Sequence, residues 1–358
     1  MAEESPSPDV LKRVRGMVDR AIQRNIKGLQ YLAAPPIKVG LTPKELLYEH
    51  GTLRLYHYLP LADEIYRVPM LLVMATTNKA YVFDLAPGMS MVEYLLKQGL
   101  DVYVIDWEAP APEEGSLNLA DYTQDFLPTC VDEVLRDSGE PDISIVGYCM
   151  GGVLSLIYAA THVGGPLRNL GCFTTPIDWS KFGLSKIWSD PAYFDVDRLV
   201  DTLGMVPKDL VSTGFTMLRP SQKRAAQILV WDQMWNDDYV AAYRAFDRWA
   251  NETLPLAGEY FRDTIKELMW GNKLFKGTLK VGGRIANLRN VTVPVFSAVA
   301  EHDHIVSYEA SKELMELVGS TDKEEVVLKG GHVSLIAGAN AMRRMWPSLA
   351  TWLGERST

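Results

Sequence analysis

One cysteine, Cys149, stands in a local pattern that strongly constrains how this chain can fold. Residues 142–146 predict a short strand, and residues 150–160, rich in Ala, Leu and Ile, predict a buried helix. Between them, Gly147 and Gly151 flank the cysteine in a Gly-Tyr-Cys-Met-Gly sequence. Glycines are needed there because a sharp strand-to-helix turn brings the two elements close together. The pattern therefore predicts a turn that presents Cys149 at the N-terminus of a helix.

A thiol at such a turn is suited to nucleophilic chemistry. The turn strains the backbone of its central residue, and the positive end of the helix dipole favours the thiolate, which attacks carbonyl carbon. The alternative is a structural cysteine, because free Cys is among the residues most often buried in protein cores. A Gly-x-Cys-x-Gly sequence alone does not decide between the two, so the rest of the chain has to.

Composition and charge exclude several classes of protein. The chain has 358 residues, of which 47% are hydrophobic and 23% charged, which is typical of one large soluble domain or a domain with an insertion. Its net charge of -9 argues against nucleic-acid binding. No segment resembles a signal peptide or a transmembrane span, so we expect a cytoplasmic protein.

The cysteine pattern predicts neither disulfides nor a metal site. Cys130, Cys149 and Cys172 are an odd set without metal-ligand spacing, which indicates a reducing compartment. We expect Cys130 and Cys172 to be packing residues.

From Thr52 onward, short strand-like segments alternate with helical ones. The candidate strands are residues 52–59, 69–75, 101–106, 142–146, 169–174, 293–299 and 324–328, and the candidate helices are residues 89–97, 122–136, 150–160, 308–318 and 338–353. This alternation predicts an α/β fold with a mostly parallel sheet covered by helices on both faces. In such a sheet the active site lies at the carboxyl ends of the strands.

Two further strand ends carry polar residues. Asp303 follows the strand-like segment that ends near Ala300, and His332 follows the one that ends at Leu328. Taken singly, Asp303 can be a turn or helix-capping residue and His332 a loop histidine. Nucleophile, acid and histidine occur in this order in α/β-hydrolases, and the interval between Asp303 and His332 accommodates one helix and one strand. We therefore predict a Cys149, Asp303 and His332 triad on an α/β-hydrolase fold.

The interval between the cysteine and the aspartate is longer than the intervening strands require, which predicts an insertion. Residues 176–289 contain several tryptophans, helical patterns and few strand signals, and we predict an inserted helical cap there. Its aromatic residues either form a small core or enclose an acyl substrate and exclude water. The α/β-hydrolase core would then comprise residues 36–175 and 290–358.

Residues 1–35 are predicted to form an amphipathic helical extension. Apolar side chains recur at helical spacing over residues 9–32, the opposite face is basic, and Pro35 and Pro36 end the helix. One interpretation is a helix docked on the body with its charged face in solvent. The other is a helix that docks a partner or a lipid surface.

Several stretches together resemble one known family. They are residues 40–44, 77–85, 101–107, 147–152, 303–306 and 330–332, which read Gly-Leu-Thr-Pro-Lys, Thr-Asn-Lys-Ala-Tyr-Val-Phe-Asp-Leu, Asp-Val-Tyr-Val-Ile-Asp-Trp, Gly-Tyr-Cys-Met-Gly-Gly, Asp-His-Ile-Val and Gly-Gly-His. From about Gly40 to the C-terminus the chain resembles the catalytic subunit of polyhydroxyalkanoate synthases of the short two-subunit kind, type III or type IV.

The resemblance implies polymerisation of (R)-3-hydroxyacyl-CoA into polyester, with short-chain units such as 3-hydroxybutyryl and with release of coenzyme A. It implies no cofactor, because acyl-CoA is the substrate and coenzyme A the product. It also implies a second synthase subunit, a homo- or hetero-oligomer, and association with polyester granules in the cytoplasm. Residues 74–78 and 268–272 depart from the family pattern, so the monomer length and the type of partner stay open.

The resemblance also implies roles for particular residues. Cys149 would carry the acyl chain, His332 would be the general base and Asp303 the third member of the triad. His304 matches a histidine that follows the aspartate in the family and is a candidate substrate-binding residue whose role is open.

For the oxyanion hole we predict two backbone N–H groups. One belongs to Met150, the residue after the nucleophile, and the other to Thr77, in the loop after the strand at residues 69–75. Two alternatives to the synthase remain: an acyl hydrolase such as a thioesterase, in which water accepts the acyl group, and a non-catalytic granule-surface or scaffold protein.

Overall fold

The central sheet contains eight strands, in the order β1-β2-β4-β3-β5-β6-β11-β12. A computed structural model describes residues 8–357. The expected lack of a signal peptide rests partly on the first seven residues, which lie outside the described residues. The strands of this sheet are β1 (Lys44–His50), β2 (Leu53–Tyr58), β3 (Met70–Val73), β4 (Val102–Trp107), β5 (Ile143–Tyr148), β6 (Leu167–Phe173), β11 (Val295–Ala300) and β12 (Lys323–Leu328).

The sheet is mostly parallel and its middle is fully covered. Pairing is antiparallel only where β2 meets β1 and β4, and it is parallel from β4 to β12. Every residue of β3, β4, β5 and β11 is buried, as expected for strands that have helices on both faces. The predicted α/β class, with a mostly parallel sheet, is confirmed.

The helices alternate with the strands along the chain. They are α1 (Pro8–Ala33), α2 (Met91–Lys97), α3 (Leu127–Ser138), α4 (Met150–Thr161), α5 (Gly183–Trp188), α6 (Val196–Leu203), α7 (Lys208–Leu218), α8 (Gln222–Asp232), α9 (Asp237–Asn251), α10 (Gly258–Asp263), α11 (Tyr308–Ser311), α12 (Leu314–Leu317) and α13 (Trp346–Gly354). Three π-helical segments (Asp121–Phe126, Thr264–Trp270 and Ala341–Met345) precede α3, follow α10 and precede α13. Within residues 8–357, no helix is both long enough and apolar enough to cross a membrane.

For the central sheet and the helices that alternate with its strands, the segment pattern was wrong in two places. Strand β1 was not predicted, because it is an edge strand without a fully buried residue, so its sequence carries no apolar alternation. The single helix predicted over residues 308–318 is divided into α11 and α12.

The stretch between β6 and β11 contains α5 to α10 and two small two-stranded sheets. Strands β7 (Met205–Val206) and β8 (Leu256–Ala257) form one of these sheets, and β9 (Leu279–Val281) and β10 (Arg284–Ala286) form the other. We refer to α5 through α10 with β7 and β8 as the cap segment. Its tryptophans do not share one role: Trp249 is buried, whereas Trp231 and Trp235 are 42% and 37% exposed and lie against α1.

One interpretation of the sequence was that helix α1 docks on the body with its charged face in solvent. In the structure the orientation is the reverse, because the basic face of α1 contacts the cap segment. The guanidinium of Arg24 lies 6.0 Å from the ring centroid of Trp231, and Lys27 Nζ lies 2.6 Å from Asp237 Oδ2. The apolar side chains of Val18, Ile22, Leu29 and Leu32 are 51–79% exposed. Indole rings and carboxylates are good partners for cations, so they attract the charged face to the protein.

Candidate active site

Cys149 lies at the strained turn between β5 and α4. Its backbone dihedral angles are φ 54° and ψ −117°, a conformation that costs a non-glycine residue about 1–3 kcal/mol. A Cβ atom at Gly151 would lie 2.0 Å from the carbonyl oxygen of Val73, and one at Gly147 would lie 2.5 Å from that of Gly151. Both glycines are therefore required by close backbone approach. Cys149 is partly exposed, whereas Cys130 and Cys172 are buried in the core.

The structure brings Asp303 and His332 together at the carboxyl ends of β11 and β12. His332 Nδ1 lies 2.6 Å from Asp303 Oδ2, and both residues are buried. The other carboxylate oxygen, Oδ1, accepts hydrogen bonds from the backbone N–H groups of Ile305 and Val306 at 2.8 and 2.9 Å. Both oxygens of Asp303 are thus engaged, one by the loop and one by the imidazole.

The thiol of Cys149 lies beside the same imidazole. Burial alone would lower the pKa of His332, but the charges of Asp303 and Cys149 and hydrogen bonds with both residues raise it to about 10. Asp303 occupies Nδ1, which leaves Nε2 as the ring nitrogen available to the thiol. This electrostatic arrangement favours the imidazolium form of His332. The structure thus pairs His332 with Asp303 and brings Cys149 close enough to affect His332, while their action as a catalytic triad stays a prediction.

His304 directly follows Asp303 and is influenced electrostatically by Arg219 of the cap segment. Burial, the guanidinium of Arg219 in the α7–α8 turn and the neighbouring His332 lower the pKa of His304, so its neutral form is favoured. Within residues 8–357, its buried Nδ1 atom has no hydrogen-bond partner. The geometry places His304 near the candidate site, and its role in substrate binding stays a prediction.

The two residues predicted for the oxyanion hole belong to neighbouring segments. Met150 is the first residue of α4, and Thr77 lies in the loop that follows β3. The close approach of Gly151 to Val73 packs the start of α4 against the end of β3. The carbonyl oxygen of Thr77 accepts from the N–H of Leu254, which ties this loop to the cap segment. The donation of either N–H group to an acyl oxygen stays a prediction.

Sequence reasoning missed two tyrosines near the cysteine. The ring of Tyr148 lies 5.0 Å from that of His332, and Tyr260 from α10 reaches the β3 loop, where Thr76 Oγ1 donates to its hydroxyl oxygen at 3.3 Å. Burial raises the pKa of both phenols, and the charge of Cys149 raises it further. Tyr148 is next to the cysteine in sequence, but Tyr260 lies in the insertion and carries no motif that signals its position.

This fold and the position of its cysteine define a class of protein. The family model described as the alpha/beta hydrolase fold matches residues 80–339, more than half of the chain. Among solved structures, a soluble variant of monoglyceride lipase from Saccharomyces cerevisiae superposes with a TM-score of 0.56 at 18% identity, covering 91% of this chain and all of that one. The protein is an α/β-hydrolase-fold protein with Cys149 at the turn between β5 and α4.

Similarity in amino-acid sequence identifies the family of this chain more narrowly than the fold does. A model described as the N-terminus of poly-beta-hydroxybutyrate polymerase (PhaC) matches residues 37–95. The poly(3-hydroxyalkanoate) polymerase subunit PhaC of Allochromatium vinosum is 32% identical over 98% of this chain and 98% of its own length. The subunit of the same name from Haloferax mediterranei is 33% identical over 90% of this chain, which spans 65% of that protein's length. The chain belongs to the poly(3-hydroxyalkanoate) polymerase PhaC family, as the sequence motifs predicted.

Proposed function

We propose that this protein polymerises (R)-3-hydroxyacyl-CoA, with short-chain units such as 3-hydroxybutyryl, into polyhydroxyalkanoate. The growing chain is held as a thioester on Cys149, and coenzyme A is released. The observation that carries the proposal is the strained turn that presents Cys149 beside the hydrogen-bonded Asp303–His332 pair in a chain of the PhaC family. Membership of the family supports the polymerase activity, and the geometry supports the choice of nucleophile.

In the loading step the thiolate of Cys149 attacks the thioester carbonyl carbon of the acyl-CoA. A tetrahedral oxyanion forms, and N–H groups near the start of α4 stabilise it. The carbon–sulfur bond to coenzyme A then breaks, and the departing thiolate takes the proton that His332 holds. One thioester replaces another, so the acyl group stays activated for transfer.

In the elongation step the 3-hydroxyl group of a hydroxyacyl thioester attacks the acyl group on Cys149. His332 takes the hydroxyl proton, an oxygen ester forms, and the thiolate of Cys149 leaves, so the extended chain is carried by the incoming thioester. Where that thioester is an acyl-CoA, Cys149 then attacks it as in the loading step, which returns the chain to Cys149 and releases coenzyme A. Thioester exchange and ester formation transfer no electrons to a cofactor, so the proposal invokes none.

We assign Asp303 an orienting role. Its Oδ1 atom is engaged by two backbone N–H groups and its Oδ2 atom by His332, and its side chain has 0% exposure. A carboxylate held in this way fixes the orientation of the imidazole and stabilises its cation. The alternative, direct activation of the substrate hydroxyl, would require one of these oxygens to change partner.

The setting of the reaction follows from the same proposal. A water-insoluble polyester grows from the enzyme, so we place the protein at the surface of cytoplasmic granules. We also propose a second synthase subunit as its partner. The exposed apolar face of α1 is compatible with either contact.

The proposal is tested by incubating the purified protein with (R)-3-hydroxybutyryl-CoA while thiol release and turbidity are followed together. We expect both signals from the wild type, neither from Cys149→Ala, and both from Cys130→Ala, which removes a buried thiol of the core. Thiol release without turbidity, accompanied by free hydroxy acid, would support the acyl hydrolase instead. Equal thiol release by Cys149→Ala would contradict the covalent mechanism.

A further inference from the structure

The loop that follows β3 is held by the cap segment at successive residues. Thr77 accepts a backbone hydrogen bond from Leu254 at 2.8 Å, and Asn78 forms an antiparallel bridge with Thr253. One residue earlier in the loop, the hydroxyl of Thr76 donates to the hydroxyl oxygen of Tyr260. The wall of the site on this side therefore contains groups from both the sheet and the cap segment.

Tyr260 is buried in this wall and rigidly placed. It is 2% exposed, and its ring packs against Tyr122 with centroids 4.5 Å apart. Its oxygen accepts from Thr76 and also interacts with the side chain of Thr264, and neither contact prevents its own proton from turning to a different acceptor. Burial, together with the nearby charge of Cys149, raises the pKa of Tyr260, so the phenol stays protonated and acts as a donor at neutral pH.

The sheet order places this phenol on the side of the nucleophile away from the base. Strand β5, which ends before Cys149, lies between β3 on one side and β6, β11 and β12 on the other. Thr76 and Tyr260 lie by the β3 loop, whereas His332 follows β12. When a thiolate attacks a carbonyl, the entering and departing groups face the base, and the developing oxyanion faces the opposite donors.

We propose that Tyr260 donates a hydrogen bond to the acyl carbonyl oxygen as negative charge develops on it at Cys149. In this way the cap segment supplies a side-chain donor to the oxyanion hole, alongside the backbone N–H groups at the start of α4. The inference rests on the proposed function for the identity of the natural acyl group. For its chemistry it requires only that Cys149 is acylated.

The test compares acylation with alkylation of the same thiol. Acylation by p-nitrophenyl acetate passes through an oxyanion, whereas alkylation by iodoacetamide displaces iodide without one. For Tyr260→Phe, which keeps the ring, we expect the p-nitrophenol burst to slow by about 100-fold, as for loss of one oxyanion donor. The alkylation rate of Cys149 should be unchanged. Tyr122→Phe, which removes a phenol from the same aromatic cluster, should match the wild type in both reactions.

Two results would overturn the inference. An unchanged burst in Tyr260→Phe would reduce the residue to a packing role, and an equal slowing of acylation and alkylation would mean that it acts on the thiolate. If Tyr260→Phe does not fold, as judged by circular dichroism, Thr76→Val removes the hydroxyl that orients the phenol. That variant should slow acylation at least several-fold and leave alkylation unchanged, and equal acylation would again overturn the inference. A wild-type protein that is acylated by the ester but inactive with hydroxyacyl-CoA would contradict the proposed function while leaving this test intact.

Discussion

At the scale of single residues, the candidate site depends on one strained backbone position and one buried ion pair. The turn at Cys149 is held by glycines that no other residue can replace, because a Cβ at either would collide with a backbone oxygen. Asp303 accepts hydrogen bonds from two backbone N–H groups in addition to its contact with the imidazole of His332. The burial of the aspartate is thus compensated by the hydrogen bonds that it accepts.

The chemical identity of the nucleophile gives a prediction at this scale. In Cys149→Ser the hydroxyl is far less ionised than a thiol and forms a poorer acyl donor, so we expect polymer formation to fall by at least about 100-fold. The free energy of unfolding should change little, because the side chain is nearly isosteric. Turbidity with (R)-3-hydroxybutyryl-CoA and urea unfolding measure the two quantities. Full activity of the serine variant would rule out the thioester mechanism.

At the scale of elements, a charged histidine joins β2, β4 and α3 near the edge of the sheet. His57 Nε2 lies 2.7 Å from Asp101 Oδ1, and Nδ1 lies 2.9 Å from Asp137 Oδ2. Carboxylates only accept hydrogen bonds, so both ring nitrogens must carry protons. The ring of Tyr103 stacks on the imidazole with centroids 4.1 Å apart, and its hydroxyl donates to Asp137.

This cluster predicts that stability depends on pH. Burial lowers the pKa of His57, but hydrogen bonding to Asp101 and the charges of Asp101, Asp137 and Glu45 outweigh it, so the pKa is raised above 6.5. The stabilisation is therefore complete below the unfolded pKa and is lost as pH rises through the folded pKa. At about pH 6 we expect His57→Gln to lower the free energy of unfolding by about 2 kcal/mol, and by less at about pH 9.

Urea unfolding of both proteins at the two pH values measures this difference. His302→Gln is the matched control, because His302 is an exposed histidine and its variant should not alter the pH dependence. A deficit of the same size at both pH values would show that His57 contributes by packing rather than by charge.

At the scale of the whole molecule, α1 is attached to the cap segment through its charges. The contacts include Arg24 over the ring of Trp231 and the ion pair of Lys27 with Asp237. Partly exposed contacts of this kind are each worth about 0.5–1 kcal/mol and weaken in salt. The attachment is therefore modest in energy, although the helix is long.

Charge reversal should release this helix. With both Arg24→Glu and Lys27→Glu, we expect chymotrypsin to cleave within α1 at least about fivefold faster, because losing about 1–2 kcal/mol raises the open population by that factor or more. Lys12→Glu alters an exposed residue of the same helix and should leave the cleavage rate unchanged. Equal cleavage rates in the double variant and the wild type would mean that α1 is held by other contacts.

Local and repeating patterns in the amino-acid sequence were enough to determine the class of fold and the positions of the candidate triad. Short-range periodicity and the positions of glycines predict the strand, turn and helix around Cys149 and the strand ends before Asp303 and His332. These signals can be recognised without knowing which distant segments pack together. The edge strand β1 was not predicted because it has no fully buried residue. Alternation of apolar and polar residues arises only where one face of a strand is buried.

Tertiary structure decided what depends on contacts between distant segments. Which face of α1 meets the protein was settled by the indole rings and carboxylates of the cap segment, not by the apolar periodicity of the helix. The approach of Tyr260 to the β3 loop, and the two carboxylates around His57, likewise join residues far apart along the chain. Amphipathic spacing reports that a face is apolar, but the side chains that come to lie opposite it decide whether that face is covered.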